Sequence, residues 1–151
     1  MITVEFLKRY LLQLEEFSDA EKIKNQVLEG DGYDGIVAML EEMRTVETPC
    51  VILEDRSFGV IDNLASGPLD TFSLPLWVML SGTHDQATEL FNKAFILAKK
   101  ILSLFIRDYD EISELEGFDL ERVSYNKRMG GNGYYGYELL CTFRVNINLL
   151  P

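Results

Sequence analysis

The C-terminal stretch of the chain alternates without a break. Tyr135, Tyr137, Leu139, Cys141, Phe143, Val145, Ile147 and Leu149 are interleaved with Tyr134, Gly136, Glu138, Leu140, Thr142, Arg144, Asn146 and Asn148. A period of two marks a β-strand with one buried and one mostly polar face. Fully extended, such a strand spans roughly 50 Å at 3.4 Å per residue. A compact chain of 151 residues is only about 38 Å across. The strand is therefore expected to bend, bulge or project, and a projecting strand is most easily held by a neighbouring subunit. It pairs in expectation with Leu120 to Arg128 through a turn at Gly130-Gly131-Asn132-Gly133, closing a large antiparallel hairpin over 118–150 whose tip, 131–137, is mobile in a free monomer.

Upstream the period changes. Val4, Leu7, Leu11, Leu14 and Phe17 recur at helical steps, predicting an amphipathic helix. Ser18-Asp19-Ala20-Glu21 fits a capping box before a second helical piece that turns Ile23 and Val27 inward. Glycines at 30, 32 and 35 break it, and Asp34 can cap a third short helix through Ile36, Met39, Leu40 and Met43. From Cys50 the pattern is extended. Val51-Ile52-Leu53 and Phe58-Gly59-Val60-Ile61 flank Asp55-Arg56-Ser57 as in a hairpin, and a loop holding Gly67-Pro68 leads to a strand from Thr71 to Leu80. Trp77 and Met79 on the second face of that strand predict cover on both sides, while Pro75 predicts an edge or a bulge. Thr83 and Gln86 form a capping box before the longest helix, 83–107, whose stripe of Ala87, Phe91, Ala94, Phe95, Ala98, Ile101, Leu102 and Phe105 should cover the sheet. Ile96 is an apolar residue among the lysines of the opposite side. The expected fold is one α+β domain over 1–151. It has a helical segment at 1–45, strands at 46–80, and a mostly antiparallel sheet with the long helix packed on one face.

Composition narrows the function. There are 14 basic and 25 acidic residues, a net charge of -11, which opposes sequence-specific binding to a phosphate backbone. Cys50 and Cys141 lack the spacing of a metal site and are read as reduced core residues. No apolar run approaches a membrane span and no secretory signal is indicated, so the chain is read as cytoplasmic.

Candidate chemistry is thin. Gly30-Asp31-Gly32-Tyr33-Asp34-Gly35 and Gly131-Asn132-Gly133-Tyr134-Tyr135-Gly136 match the letters of a dinucleotide fingerprint, which works only between a strand and a helix. The first is expected between two helices, with Asp31 and Asp34 where phosphate would sit; the second is expected between two strands. Both are read as turn glycines. Asp31 and Asp34 do not make a calcium loop, because Tyr33 and Gly35 occupy ligand positions. His84 is the single histidine and is read as a helix-start residue without the partners of a catalytic base. No catalytic, cofactor-binding or metal-binding residue is proposed. The tyrosines Tyr134, Tyr135 and Tyr137 are read as packing or interface residues.

The order helix, β-hairpin, tryptophan-bearing strand, long amphipathic helix and closing β-hairpin resembles the tail terminator and tail-completion proteins of long-tailed bacteriophages. The resemblance rests on Thr71-Phe72-Ser73-Leu74-Pro75-Leu76-Trp77-Val78, the helix from Thr83 to Arg107, and Gly133-Tyr134-Tyr135-Gly136-Tyr137-Glu138-Leu139. It covers about two thirds of the chain as element order rather than as a diagnostic motif. It implies a non-enzymatic virion-assembly protein, cytoplasmic during assembly and then virion-associated. Such a protein forms a homo-oligomeric ring, commonly hexameric, that caps the tail tube and meets the connector. Candidate contacts are Ile96, Tyr134, Tyr135, Tyr137, Glu138, Arg144 and Asn146. A second reading is an acidic immunity or antitoxin-type protein that neutralises a basic partner through Asp108, Asp110, Glu111, Glu114 and Glu116; a third is an enzyme on an unrecognised α+β scaffold with a concave pocket.

Overall fold

A computed structural model describes residues 1–42, 47–55, 58–64, 67–130 and 133–147. The expected contributions of Met43, Arg56, Ser57, Gly131, Asn132, Asn148 and Leu149 lie outside the described residues. The chain is α+β. Six strands form one mixed sheet: β1 (Val27–Gly30), β2 (Cys50–Glu54), β3 (Phe58–Leu64), β4 (Gly67–Ser81), β5 (Phe118–Gly130) and β6 (Tyr134–Asn146), with helices α1 (Val4–Tyr10), α2 (Gly32–Glu42) and α3 (Ala87–Asp108). Their spatial order is β1-β2-β4-β6-β5, and β3 also pairs with β4. All pairs are antiparallel except β1 with β2.

The long final strand does not project. β4 is itself 15 residues long, and it pairs with β6 in one register from Leu69↔Asn146 to Ser81↔Tyr134. The excess length is matched by a partner strand of the same subunit. The hairpin end is also fastened to the subunit. The Gly82 N–H donates to the Gly133 carbonyl at 2.9 Å. Gly133 has φ +88, and a Cβ there would collide with the Gly82 carbonyl oxygen, so the approach requires glycine. Gly130 packs against Leu40 of α2. For its described residues, 133–137, the expectation of a tip extending past the core is therefore corrected.

β2 and β3 are not a hairpin. Both pair antiparallel with β4, β2 with Leu76–Met79 and β3 with Gly67–Ser73, so they lie end to end along one edge. The hairpin is β3–β4, and β4 begins at Gly67, where a loop was expected. Pro75 explains the interruption. The Val51 N–H faces Gln26 of the β1 side and the Pro68 carbonyl accepts from Ile147 on the β6 side. By strand alternation, Trp77 and Pro75 direct their main-chain groups toward β2 and β3. Pro75 has no N–H to offer there, and the ladder breaks between Leu53↔Leu76 and Phe58↔Ser73. Proline in a strand that has neighbours on both sides is tolerated at such a break.

The N-terminal third is less helical than its pattern. α1 stops at Tyr10 and continues as single 3-10 turns at Leu11–Gln13, Glu15–Phe17 and Lys22–Asn25. The expected capping box is absent: the N-cap of the last turn is Glu21, with no side-chain cap bond, and the Asp19 Oδ1 accepts from the N–H groups of Glu21 and Lys22 while the Ser18 hydroxyl donates to the Glu15 carbonyl. Val27 is buried as expected, but in a strand. At the other end of the sheet, the Thr83–Gln86 capping box is present ahead of α3.

The core has two layers. On one face, α1, the 3-10 turns and α3 bury Leu7, Leu11, Phe17, Ile101 and Phe105 against Val51, Leu76, Val78, Leu139 and Phe143. On the other, α2 buries Ile36 and Leu40 against Cys50, Ile52, Trp77 and Met79. The two-sided cover expected for the C-terminal half of β4 is supplied in this way.

Candidate functional site

Three surfaces carry what chemistry the chain has. The first lies where α3 meets the outer strand β5. Phe91 and Phe95 of α3 contact Tyr137 at ring separations of 6.0 and 5.3 Å, and Phe95 and Tyr137 contact Tyr125 at 5.2 and 5.8 Å. Such tilted and edge-on pairs suit the ring quadrupoles. The Lys127 ammonium lies 4.2 Å from the Phe91 ring and that of Lys99 lies 5.1 Å from the Phe95 ring. Neither lysine meets a carboxylate among the described residues. Tyr125 and Met129 remain 56% and 58% exposed, and Ile106, on the same helical stripe as Phe95 and Lys99, 48%. Most cations elsewhere on this acidic chain are tied to carboxylates, as Lys24 is to Glu21, Lys93 to Glu89 and Lys100 to Glu16.

The second is a charged cluster at the margin of α2. Glu138 is 7% exposed, and Arg128 reaches it diagonally across the β5–β6 ladder at 2.9 Å, with Asn126 at 3.5 Å. The guanidinium also lies 5.2 Å from the Tyr33 ring and 5.8 Å from that of Trp77. Trp77 is fully buried, and its Nε1–H donates to Glu54 at 3.1 Å. Burial raises the Glu54 carboxyl above its ordinary value; the Trp77 hydrogen bond opposes this and the nearby Glu138 charge adds to it.

The third is an apolar groove of about 220 Å³ lined by Ile2, Phe72, Leu74, Phe143, Val145 and Ile147, beside the turn that follows α3 and brings Glu114 and Glu116 to its rim.

The residues singled out in the sequence distribute unevenly over these surfaces. Tyr135 is 5% exposed and packs edge-on against Phe91, and Glu138 is spent on Arg128. Both are buried within the subunit, which corrects the expectation that they are presented to a partner. Tyr135 lies on the face of β6 that α3 covers, and Glu138 lies on the opposite face beside Arg128 and Trp77. Tyr134 packs against the α2 cluster, and Tyr137 belongs to the aromatic flank. Arg144 is exposed and lies 3.4 Å from Asp119, Asn146 is exposed, and Ile96 is 51% exposed between Lys93 and Lys100. Asp108 leaves the acidic patch, because it is buried, accepts a hydrogen bond from Tyr10 at 2.8 Å and pairs with Arg107. Arg107 first, and Tyr10 with it, hold the Asp108 carboxyl below the usual range.

Gly30-Asp31-Gly32-Tyr33-Asp34-Gly35 does join a strand to a helix, β1 to α2, contrary to the expectation of two flanking helices. Tyr33 from this turn lies over Arg128 and Trp77, while Asp31 and Asp34 keep negative charge at the helix start, which disfavours an anion there. His84 is exposed in the turn before α3. Burial pushes the Cys50 and Cys141 thiols up to about 12, on opposite faces of the sheet. Among the described residues no cluster of three metal-ligating side chains occurs, and no helix is long and apolar enough to cross a membrane. The flank itself was readable in part, since Tyr125, Lys127 and Met129 alternate on one side of β5, but nothing local showed that α3 would dock beside them. A scan against protein-family models gave no match, and no curated protein matches significantly.

Proposed function

We propose that this chain is a non-enzymatic assembly protein that forms a ring at the end of a phage-type tail, terminating or completing the tube and meeting the head-side connector. The observation that carries this reading is the flank of α3 and β5. There Tyr125, Met129 and Ile106 are exposed on the same flank as Lys99 and Lys127, which have no carboxylate partner among the described residues. Exposed tyrosine and methionine around a packed aromatic centre are characteristic of protein interfaces. The Trp77-bearing strand, the long helix and the closing β5–β6 hairpin are the parts of the resemblance that the fold retains, while the hairpin expected before them is replaced by β3–β4, and a charge of -11 suits a lumen that passes DNA without holding it. The reading assigns no catalytic residue, cofactor or metal. Electron microscopy of the purified chain, alone and with a tail-tube protein, tests it. Rings of subunits are expected, and single copies under both conditions would overturn it.

The immunity-type alternative retains Asp110, Glu111, Glu114 and Glu116 on the surface but not Asp108. A monomer that forms a strongly salt-dependent complex with a basic partner would favour it over the ring.

A further inference from the structure

The aromatic flank and the apolar groove are different surfaces of one chain, and each has what the other lacks. The flank offers exposed apolar side chains, Tyr125 and Met129, with Lys99 and Lys127 held over aromatic rings and, among the described residues, free of carboxylates. The groove offers apolar side chains, including Phe72, Phe143 and Val145, and its lining also holds Met1 and the three carboxylates of Asp70, Glu114 and Glu116, which leave it acidic on balance. Glu116 has no cation within ion-pair distance among the described residues, and Glu114 has only the Ser113 hydroxyl at 3.4 Å. Burying the flank against its own kind would set lysine against lysine, and closing the groove on its own kind would set glutamate against glutamate. Like charges across a contact select against both arrangements. Flank on groove matches apolar to apolar and cation to anion.

We infer that copies of this chain associate head to tail, the Tyr125–Met129 flank of one seated against the Phe72–Val145 groove of the next, with Lys99 and Lys127 facing Glu114 and Glu116. Contacts between two different patches are heterologous, and they close into rings when the rotation between copies allows. The inference rests on the assembly reading above and supplies its subunit contact. It also removes the aromatic flank from water, where a patch of this kind is otherwise an aggregation liability.

Charge reversal tests the pairing. The double variants Lys99→Glu/Lys127→Glu and Glu114→Lys/Glu116→Lys are each examined by light scattering coupled to gel filtration in about 0.15 M salt, where charges within about 8 Å still interact. Each variant alone is expected to lose the oligomer, because its flank and groove then carry the same sign. An equimolar mixture is expected to regain it, because in alternation every flank meets a groove of opposite sign. Thermal melts by circular dichroism confirm folding. Should a reversal fail to fold, Lys127→Gln and Glu116→Gln remove single charges and are expected to weaken association at least threefold. Wild-type oligomers with variants that assemble equally well, or a mixture of folded variants that stays monomeric, would overturn this contact while leaving the assembly reading in place. A wild-type chain that is monomeric at its highest soluble concentration would overturn this contact, and one that stays monomeric with a tail-tube protein present as well would overturn the assembly reading too.

Discussion

The sheet is covered by a long helix on one face and a short one on the other, and the two contacts differ in chemistry as well as size. Under α3 and the N-terminal turns the buried residues are almost all hydrocarbon or aromatic, from Leu7 to Phe143. Under α2 a smaller apolar cluster borders Arg128, Glu138 and Glu54, three ionisable groups removed from much of their water. Apolar burial needs only shape, whereas buried charge also needs partners in the right place. The α3 layer should therefore dominate stability. The α2 layer should respond to pH and to the loss of a single partner.

The largest expected effect is in the α3 layer. Phe105 is fully buried and contacts Tyr10 and Phe118, so Phe105→Ala should cost about 3–5 kcal/mol in denaturant melts. Phe95, on the same helix but partly exposed in the flank, should cost less. Equal losses would mean that the face turned to the core has been assigned wrongly. Next in size is Arg128→Met, which leaves the Glu138 carboxylate buried without its guanidinium. A loss of about 2–3 kcal/mol is expected, partly recovered by adding Glu138→Leu, since a buried pair replaced whole is often neutral. No recovery in the double variant would argue that Arg128 acts through its contacts with Tyr33 and Trp77 instead.

The smallest effect is the pH dependence of the α2 layer. Because the folded protein raises the Glu54 pKa above its ordinary value, the folded state holds that proton more tightly than the unfolded chain. The contribution is fully present below the unfolded value and is lost as pH rises through the raised folded one. Glu54→Gln should remove that slope. The difference in unfolding free energy between wild type and variant, followed over this interval, should change against the wild type as pH rises. A constant difference would show that Glu54 titrates normally.

The contrast between the layers also shows where the sequence was readable. The alternation of β6 and the capped stripe of α3 belong to long segments whose buried faces are apolar throughout, so periodicity alone placed them. β1 was missed because it is four residues long, follows a run of helical turns, and pairs in parallel with a strand beyond α2. Glu138 read as a surface residue because its partners Arg128 and Asn126 come from another strand. β2 and β3 looked like a hairpin because polar residues separate them; the break is set by Pro75 of the strand opposite. The flank is a meeting of α3 with β5, and only the packed chain brings its two halves together.

Whether this subunit joins copies of itself is decided by analytical ultracentrifugation of the unmodified chain over a wide concentration range. A single species sedimenting at a fixed multiple of the subunit mass, unchanged on dilution, is the predicted result. Sedimentation at the mass of one subunit throughout the range would contradict it.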